Sequence, residues 1–271
     1  MTRRKCLVLG AGGLVGQRLQ QRLVNHPMFE IVAVAGSPSS ADKQLSSIPW
    51  RLDEIRPDLP ELLVIDANGP NLTQHCQSLG VEVAFSGLPS SIALSVEQVL
   101  VDGGITVYSN SSAYRRKPNI PMIIPEINPH HNYSSKHYCA TNCTLIPLAL
   151  PVAAIAKLST VVSVKMRSEQ ALSGAGWQLL FDQQALSGNV NPNIDGEADK
   201  TSAELLHVLG SMENQLVTPA KLSLDINCER VARRDGHQVF VTLKTQKPLE
   251  LTEIIDQLQD LDIGYELPSK P

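Results

Sequence analysis

The chain lacks three features that would place it in a class at once: a cysteine framework, a long apolar run and a basic tract. Five cysteines in 271 residues are few and odd in number, which excludes a disulfide scaffold and favours a reducing, cytoplasmic setting. No stretch approaches the roughly 18 consecutive apolar residues of a membrane helix. The net charge is -4 and no long basic run occurs, so we expect neither nucleic acid nor membrane as a partner.

The first half of the chain alternates short apolar runs with amphipathic segments. Hydrophobic residues make up 42% of the sequence, enough for a folded core. The apolar runs have the length of buried strands: "KCLVLG", "EIVAVAG", "ELLVIDA", "VEVAFSG" and "ITVYSN". Strands alternating with helices predict βαβ units, hence an α/β domain with a parallel, Rossmann-like sheet.

The pattern changes after Cys143. Longer strands with alternating character occur in "STVVSVKMRSEQ" and "KLSLDINCERVARRDGHQVFVTLKT", separated by predicted helices near residues 177–187 and 198–209. This pattern predicts a second domain of α+β type with an antiparallel or mixed sheet. We place the domains at residues 1–142 and 143–271, and interpret residues 111–135, rich in Pro, Asn, Ser and His, as a surface loop region.

A glycine-rich turn, "LGAGGLVGQRL", ends the first predicted strand and opens a helix. Without Cβ atoms the backbone can turn tightly and approach a pyrophosphate, whose charge rests on free N–H groups at the helix N-terminus. A tight turn without a ligand is the alternative. The predicted dinucleotide contacts are Gly10, Gly12, Gly13, Leu14 and Val15.

The end of the second predicted strand bears on the choice of dinucleotide. An NAD-binding protein usually carries Asp or Glu at this point to bind the ribose 2′-hydroxyl. Here "VAVAGSPSSADK" offers the hydroxyls of Ser37, Ser39 and Ser40, and no carboxylate stands at the strand end to repel a 2′-phosphate. The segment therefore favours NADP, unless it is a Ser/Pro loop without a ligand.

Two cysteines stand four residues apart in "KHYCATNCTLIPLA". Asn142 can cap the helix that follows, which would put Cys143 at the positive helix end, where the nucleophilic thiolate is favoured. Cys139 would fill a strand. A zinc site and a purely structural pair are the alternatives, the zinc site drawing on His137, Cys139, Cys143 and His130 or His131. A thiolate beside a nicotinamide implies attack on an acyl carbon and hydride reduction of the resulting thioester.

Several segments together resemble the aspartate-semialdehyde dehydrogenase family, in particular its archaeal and fungal branch: "GAGGLVGQRL…NHPMFEIVAV", "VEVAFSGLPSSIA", "VYSNSSAYRRKPNIPMIIPEINP", "ATNCTLIPL", "EQALSGAGW" and "CERVARRDGH". The resemblance implies NADPH-dependent reduction of L-aspartyl-4-phosphate to L-aspartate 4-semialdehyde, with release of phosphate. It implies small-molecule partners, the substrate and phosphate, no resident metal, and a homodimer or dimer of dimers formed through the second domain.

The resemblance assigns a role to each matching residue. Cys143 would be the acylated nucleophile, His237 the general acid/base, and Gln170 would position the substrate. The substrate and its phosphate would be bound by Asn142, Arg115, Arg230, Glu197 and Lys200. Further cofactor contacts are implied at Ser86, Gly87, Ser173 and Gly174.

Four of these residues have plain structural alternatives. Arg115 could belong to a solvated charge cluster, and His237 could shape a hairpin in "RRDGHQ". Arg230 could pair with a nearby acid, and Gln170 could be exposed.

The sequence departs from the family pattern in two places. "CERVARR" stands where the family has R-V-P-V, and the chain stops at "GYELPSKP", where the family continues with strands and a helix that contacts the nicotinamide. We therefore expect a weaker cofactor site. The alternatives are a reductase of another acyl phosphate or acyl-CoA, and a truncated, catalytically impaired paralogue that keeps the fold.

Overall fold

We describe the chain from a computed structural model, which covers residues 2–117 and 119–259. Their contacts form two compact units: residues 2–115 with Ser134–Ala140, and Arg116–Tyr133 with residues 141–259. The division into domains at residue 142 stays a prediction, and Arg116–Tyr133 belongs to the second compact unit. Among the described residues, no helix has the length and apolar character needed to span a membrane.

The first unit is built on a parallel sheet of six strands in the order β3-β2-β1-β4-β5-β6, which confirms the predicted α/β class. The strands are β1 (Arg4–Leu9), β2 (Phe29–Gly36), β3 (Val64–Asp66), β4 (Val83–Ser86), β5 (Thr106–Ser109) and β6 (His137–Cys139). The helices are α1 (Leu14–Leu23), α2 (Leu72–Ser78) and α3 (Ser90–Asp102).

The centre of this sheet is covered on both faces. Along β1, the side chains from Cys6 to Leu9 are each 0% exposed, so neighbouring residues, which point to opposite faces, are equally buried. This explains why the strands appear in the sequence as continuous apolar runs. The carboxyl ends of β1 and β4 carry the glycine turn and the Ser86-Gly87 pair at one edge of the sheet.

The second unit contains a mixed sheet of three strands in the order β10-β7-β11, with β10 parallel and β11 antiparallel to β7. Its helices are α4 (Leu145–Ala156), α5 (Trp177–Leu180), α6 (Gln183–Leu186), α7 (Glu197–Val208) and α8 (Leu251–Gln259). Its strands are β7 (Val161–Gln170), β8 (Ser211–Glu213), β9 (Leu216–Thr218), β10 (Ser223–Arg230) and β11 (Gln238–Thr245). Helix α4 packs on β7 and β11, and α7 packs on β10.

Two expectations need correction in this unit, and some elements were missed. The helix predicted at 177–187 is two short helices, because the Asp182 carboxylate accepts the amides of Gln184 and Ala185 and starts α6 anew. Part of the predicted surface loop is core, since Met122 is 0% and His131 1% exposed. The β8–β9 pair and α8 were not predicted.

Candidate active site

The nucleophile candidate lies just before the N-terminus of α4. The Asn142 Oδ1 atom accepts the amides of Thr144 and Leu145, both at 2.9 Å, so the predicted cap is present. Asn142 is 6% and Thr144 0% exposed, whereas Cys143 between them is exposed. The local fold therefore fixes the backbone on both sides of Cys143 and leaves its thiol accessible.

The His237 ring lies against this thiol, with 3.0 Å between Nε2 and the Cys143 Sγ atom. The other ring nitrogen, Nδ1, accepts the backbone N–H of Ala171 at 3.1 Å. Because Nδ1 is an acceptor, the neutral ring carries its proton on Nε2, directed at the sulfur. Burial and then the Arg230 charge lower the pKa of His237, against smaller opposing effects of Asp235 and Glu197. Both effects favour the neutral ring.

Arg230 ends β10 beside the same peptide group. Its Nη1 donates to the Ala171 carbonyl oxygen at 2.7 Å, so one peptide residue orients both His237 and Arg230. Burial lowers the pKa of Arg230, while the charges of Cys143 and Glu197 raise it. These couplings place Cys143, Glu197, Arg230 and His237 in one electrostatic cluster.

Gln170 is 2% exposed at the end of β7, so the expectation that it could be exposed is wrong. Its Nε2 donates to Thr144 Oγ1 at 2.9 Å and to Glu197 Oε1 at 3.3 Å. The side chain thus joins the nucleophile segment to Glu197 at the start of α7.

The hairpin alternative for His237 is also wrong. Strands β10 and β11 flank β7 on opposite sides and do not pair with each other. The segment between them instead follows the "ALSG" segment, where Leu172 and Ser173 donate backbone N–H groups to Arg233 and Arg234.

Gly174 packs directly on the cluster. A Cβ atom at this position would lie 2.9 Å from Arg230 Nη1 and 3.1 Å from His237 Cε1. Ser173 donates its hydroxyl to Asp235 at 2.6 Å. The predicted cofactor roles of Ser173 and Gly174 stay predictions, while the geometry adds a steric role for Gly174.

The two predicted phosphate ligands, Lys200 and Arg115, belong to different units. Lys200 is exposed on α7, and no hydrogen bond or ion pair in the described part of the chain links it to Cys143. Arg115 belongs to the first unit, where its guanidinium donates to the carbonyl of Asn110 at 2.9 Å. Their roles in phosphate binding stay predictions.

The glycine turn in the first unit has the shape that the sequence predicts. Gly10 has φ +76°, and a Cβ atom there would lie 2.8 Å from the Gly87 carbonyl oxygen. A Cβ atom on Gly16 would lie 2.0 Å from the Gly10 carbonyl oxygen. The first helical hydrogen bond of α1 is made by the amide of Gln17. The amides of residues 14–16 lie in the first turn and therefore have no acceptor within the helix.

Sequence reasoning missed one cation at this turn. Arg51 Nη1 donates to the Gly12 carbonyl at 2.6 Å, and the Arg51 amide donates to Gln17 Oε1 at 2.7 Å. Nothing in "SIPWRLD" signals this contact, because it depends on a loop that returns to α1 from 34 residues away.

Nearby, the hydroxyls of Ser37 and Ser39 are 2.9 Å apart just beyond the end of β2. The Ser40 hydroxyl lies 3.3 Å from that of Ser37.

The residues named for a zinc site have other contacts. Cys139 is 4% exposed in β6, and His137 Nε2 lies 2.9 Å from the buried Glu97 carboxylate. His131 bonds Asn128 and the carbonyl of Gly210. Over residues 2–117 and 119–259, no group of three or more His, Cys, Asp or Glu side chains is arranged to hold a metal ion.

Comparison with known proteins identifies the family. The family model described as "Semialdehyde dehydrogenase, NAD binding domain" matches residues 5–135. Aspartate-semialdehyde dehydrogenase from Archaeoglobus fulgidus is 32% identical over 279 residues, covering 97% of this chain and 78% of that protein. The protein of the same name from Methanothermobacter thermautotrophicus is 33% identical, with the same coverage. The chain belongs to the aspartate-semialdehyde dehydrogenase family.

Solved structures agree with the aspartate-semialdehyde dehydrogenase assignment. The Candida albicans enzyme, solved with NADP, gives a TM-score of 0.79 at 27% identity, over 96% of this chain and 76% of that one. Aspartate semialdehyde dehydrogenase II from Vibrio cholerae gives a TM-score of 0.74 at 16% identity, which supports the fold alone. The resemblance to the archaeal and fungal branch is thereby confirmed, and the chain is an oxidoreductase of this family.

Proposed function

We propose that this chain reduces L-aspartyl-4-phosphate to L-aspartate 4-semialdehyde with NADPH, through a thioester on Cys143. The observation that carries the proposal is the 3.0 Å contact between Cys143 Sγ and a His237 ring whose proton is held on Nε2. The A. fulgidus and C. albicans relatives carry the name of this activity.

The glycine turn is suited to NADP. Its glycines carry no Cβ atoms that would keep a pyrophosphate away, and the first amides of α1 can donate hydrogen bonds to it. Helix α1 also has no acidic residue in its first turn that would repel the phosphates. The hydroxyls of Ser37, Ser39 and Ser40 offer hydrogen bonds to a 2′-phosphate. The relative from C. albicans was solved with NADP. When bound, NADPH supplies the hydride that reduces the acyl carbon.

Cys143 would act first. Its sulfur attacks the acyl carbon of the substrate, a C–S bond forms, the bond between that carbon and the phosphate oxygen breaks, and phosphate leaves with the electron pair. Reduction of the thioester gives a tetrahedral oxyanion. Its collapse breaks the C–S bond, releases the aldehyde and returns the thiolate to Cys143.

His237 and Gln170 would stabilise the negative charge as it moves. The Nε2–H of His237 donates to the sulfur at rest and can donate to the oxyanion as it forms. Gln170 Nε2 lies in the same cluster through Thr144 and Glu197 and would orient the acyl oxygen. Because burial and Arg230 lower the pKa of His237, catalysis that needs the neutral ring should persist below pH 6.5.

The charged residues of the cluster fit an amino-acid substrate. Arg230 offers a guanidinium for the α-carboxylate, and Glu197 offers a carboxylate for the α-ammonium group. We assign the phosphate to Arg115 and Lys200 as a proposal that follows from the family resemblance. An N-acetylated substrate lacks the ammonium charge that Glu197 would bind, so we expect it to be disfavoured.

We also propose that the protein acts as a homodimer in the cytoplasm, formed through the open face of the β10-β7-β11 sheet. Phe240 is 41% exposed on this sheet. Arg167 lies over the Phe240 ring at 4.4 Å and bonds Glu169 and Glu229. Sedimentation equilibrium of the wild type and of Phe240→Lys tests this, since a monomeric wild type contradicts the proposal.

The proposed reaction is tested by following phosphate-dependent NADP reduction with aspartate semialdehyde. Wild type should turn over, and Cys143→Ala should lose all measurable activity because no other group can carry the acyl chain. Cys139→Ala is the matched control, since Cys139 is buried in β6 and should be dispensable for chemistry.

Folded wild-type protein without turnover, or full turnover by Cys143→Ala, contradicts the proposal. A panel with N-acetylglutamate semialdehyde and acyl-CoA substrates tests the substrate assignment. Preference for either over the aspartate compound would move the chain to a related acyl reductase.

A further inference from the structure

Helix α7 presents three polar side chains along one face. Glu197, Thr201 and Glu204 are spaced four and three residues apart, so they lie above one another on the helix. Thr201 is 0% and Glu204 2% exposed. A carboxylate is rarely buried to this degree unless it makes a specific interaction, because its desolvation is costly.

The two buried side chains contact the residue that precedes the nucleophile. Glu204 Oε2 accepts the backbone N–H of Asn142 at 2.8 Å, and Thr201 Oγ1 accepts from Asn142 Nδ2 at 2.9 Å. The remaining polar atom of that side chain, Oδ1, caps α4 through the amides of Thr144 and Leu145. The main chain and the side chain of Asn142 are therefore both fixed.

The residue after the nucleophile is fixed from the other side. Thr144 is fully buried, and its hydroxyl accepts from Gln170 Nε2 at 2.9 Å. Cys143 is thus held between one residue bonded to α7 and one bonded to the end of β7, with only its own side chain exposed.

We propose that Glu204 is a positioning residue for the nucleophile. It acts through Asn142 and holds the Cys143 sulfur at hydrogen-bond distance from His237. A carboxylate accepts a shorter and stronger bond from an amide than a neutral group does, which suits a loop that must keep a reactive sulfur in place. The catalytic part of this inference rests on the proposed function, whereas the positioning of the sulfur does not.

The test compares Glu204→Ala with Glu204→Gln, which keeps an acceptor oxygen. A displacement approaching 1 Å at a reacting atom costs about 100-fold in rate, so we expect Glu204→Ala to lower kcat by 10- to 100-fold with little change in KM. Glu204→Gln should stay within about 5-fold of wild type, the cost of a weakened hydrogen bond.

Alkylation of Cys143 by iodoacetamide gives a readout that needs no substrate. At pH 7, Glu204→Ala should react several-fold more slowly than wild type, because the sulfur loses its steady contact with the His237 N–H, and Glu204→Gln should recover most of the rate. If Glu204→Ala does not fold, Thr201→Val removes the second contact with Asn142 and should show the same slowing in smaller degree.

The outcomes separate this inference from the proposed reaction. An inactive wild type with slowed alkylation in Glu204→Ala would reject the reaction and keep the positioning role. An active wild type whose folded Glu204→Ala variant matches it in kcat and alkylation rate would overturn the positioning role. Equal losses in the Ala and Gln variants with a wild-type alkylation rate would also overturn it, because they indicate a structural role only.

Discussion

A single added methyl group at Gly174 should impair the site without weakening the fold. The Cβ atom would lie 2.9 Å from Arg230 Nη1, whereas ordinary contacts begin at 3.4 Å, so the guanidinium must move by about 0.5 Å. The same atom would lie 3.1 Å from His237 Cε1, so the ring must also yield. Both groups are ends of side chains, and neither can move without changing its distance from the Ala171 peptide or from Cys143.

A displacement of this size in two groups of the site should lower kcat/KM by about 10- to 100-fold. Displacement of Arg230, which would bind the substrate, should raise KM. Displacement of His237, which would act in the chemical step, should lower kcat. The backbone of Gly174 is not in the left-handed region, so alanine meets no backbone strain there. Its restriction of the unfolded chain, worth about 0.4–1 kcal/mol, offsets the cost of moving the two side chains, so the free energy of unfolding should change little. The assay pairs phosphate-dependent NADP reduction with urea unfolding.

Gly176→Ala is the matched control, two residues away. Gly176 has φ +92° and ψ 176°, a backbone conformation essentially confined to glycine, and nothing lies within 4 Å of its would-be Cβ atom, so alanine adds strain of about 1–3 kcal/mol but touches no neighbour. It should lower the free energy of unfolding and leave kcat/KM near the wild-type value. If Gly174→Ala keeps full activity, or if the control loses activity to the same extent, the steric reasoning is refuted.

Three further predictions concern other parts of the chain. Burial, with His131 as a smaller cause, lowers the pKa of His207 to about 4, so its contribution to stability is complete above pH 6.5 and is lost as the pH falls towards 4. Between pH 6.5 and 4 the free energy of unfolding of His207→Gln should therefore fall less than that of wild type, by up to roughly 3 kcal/mol. Urea unfolding at each pH measures this difference. Gly16→Ala should weaken NADPH binding more than 10-fold in a fluorescence titration, since its Cβ atom would meet a backbone oxygen at 2.0 Å, and unchanged affinity would contradict the proposed binding of NADP at the glycine turn. Arg51→Ala should weaken NADPH binding about 5-fold by freeing the Gly12 carbonyl, and Arg51→Lys should restore part of it.

Much of the first unit could be predicted because buried parallel strands leave a direct signal in the sequence. Residues 6–9 and 83–85 are apolar at every position, and the glycine turn follows the first of these runs. The helix α2 between β3 and β4 gave a weaker signal, because its residues "LTQHCQS" are largely polar and bury only Leu72 and Cys76. The contact of Arg51 with the glycine turn depends on how a loop folds back, which local pattern does not contain.

The sequence predicted which residues form the candidate site, but not which neighbouring groups hold them in position. The sequence marked Cys143, Gln170 and His237 through motifs, but Glu204 lies in a helix where a carboxylate is ordinarily solvated. The spacing of Glu197, Thr201 and Glu204 was visible, and only the packing of α7 on β10 shows that this face is turned inwards. The backbone groups of Ala171 leave no sequence signal at all, because every residue has them.

The topology of the second sheet explains why residues so distant in sequence meet. Because β10 runs parallel to β7, both strands end at the same edge, where Arg230 is paired with Gln170. Because β11 runs antiparallel, it begins at that edge, with Gln238 opposite Glu169. A hairpin of β10 and β11 beside β7 could not deliver both partners to the end of one central strand. Register then selects the side chains, since a slip of one residue would exchange the buried Gln170 for Glu169, which points to the opposite face and bonds Arg167. The site is thus specified by the pairing of three strand ends, and the Ala171 peptide that follows β7 is in position to bond both His237 and Arg230.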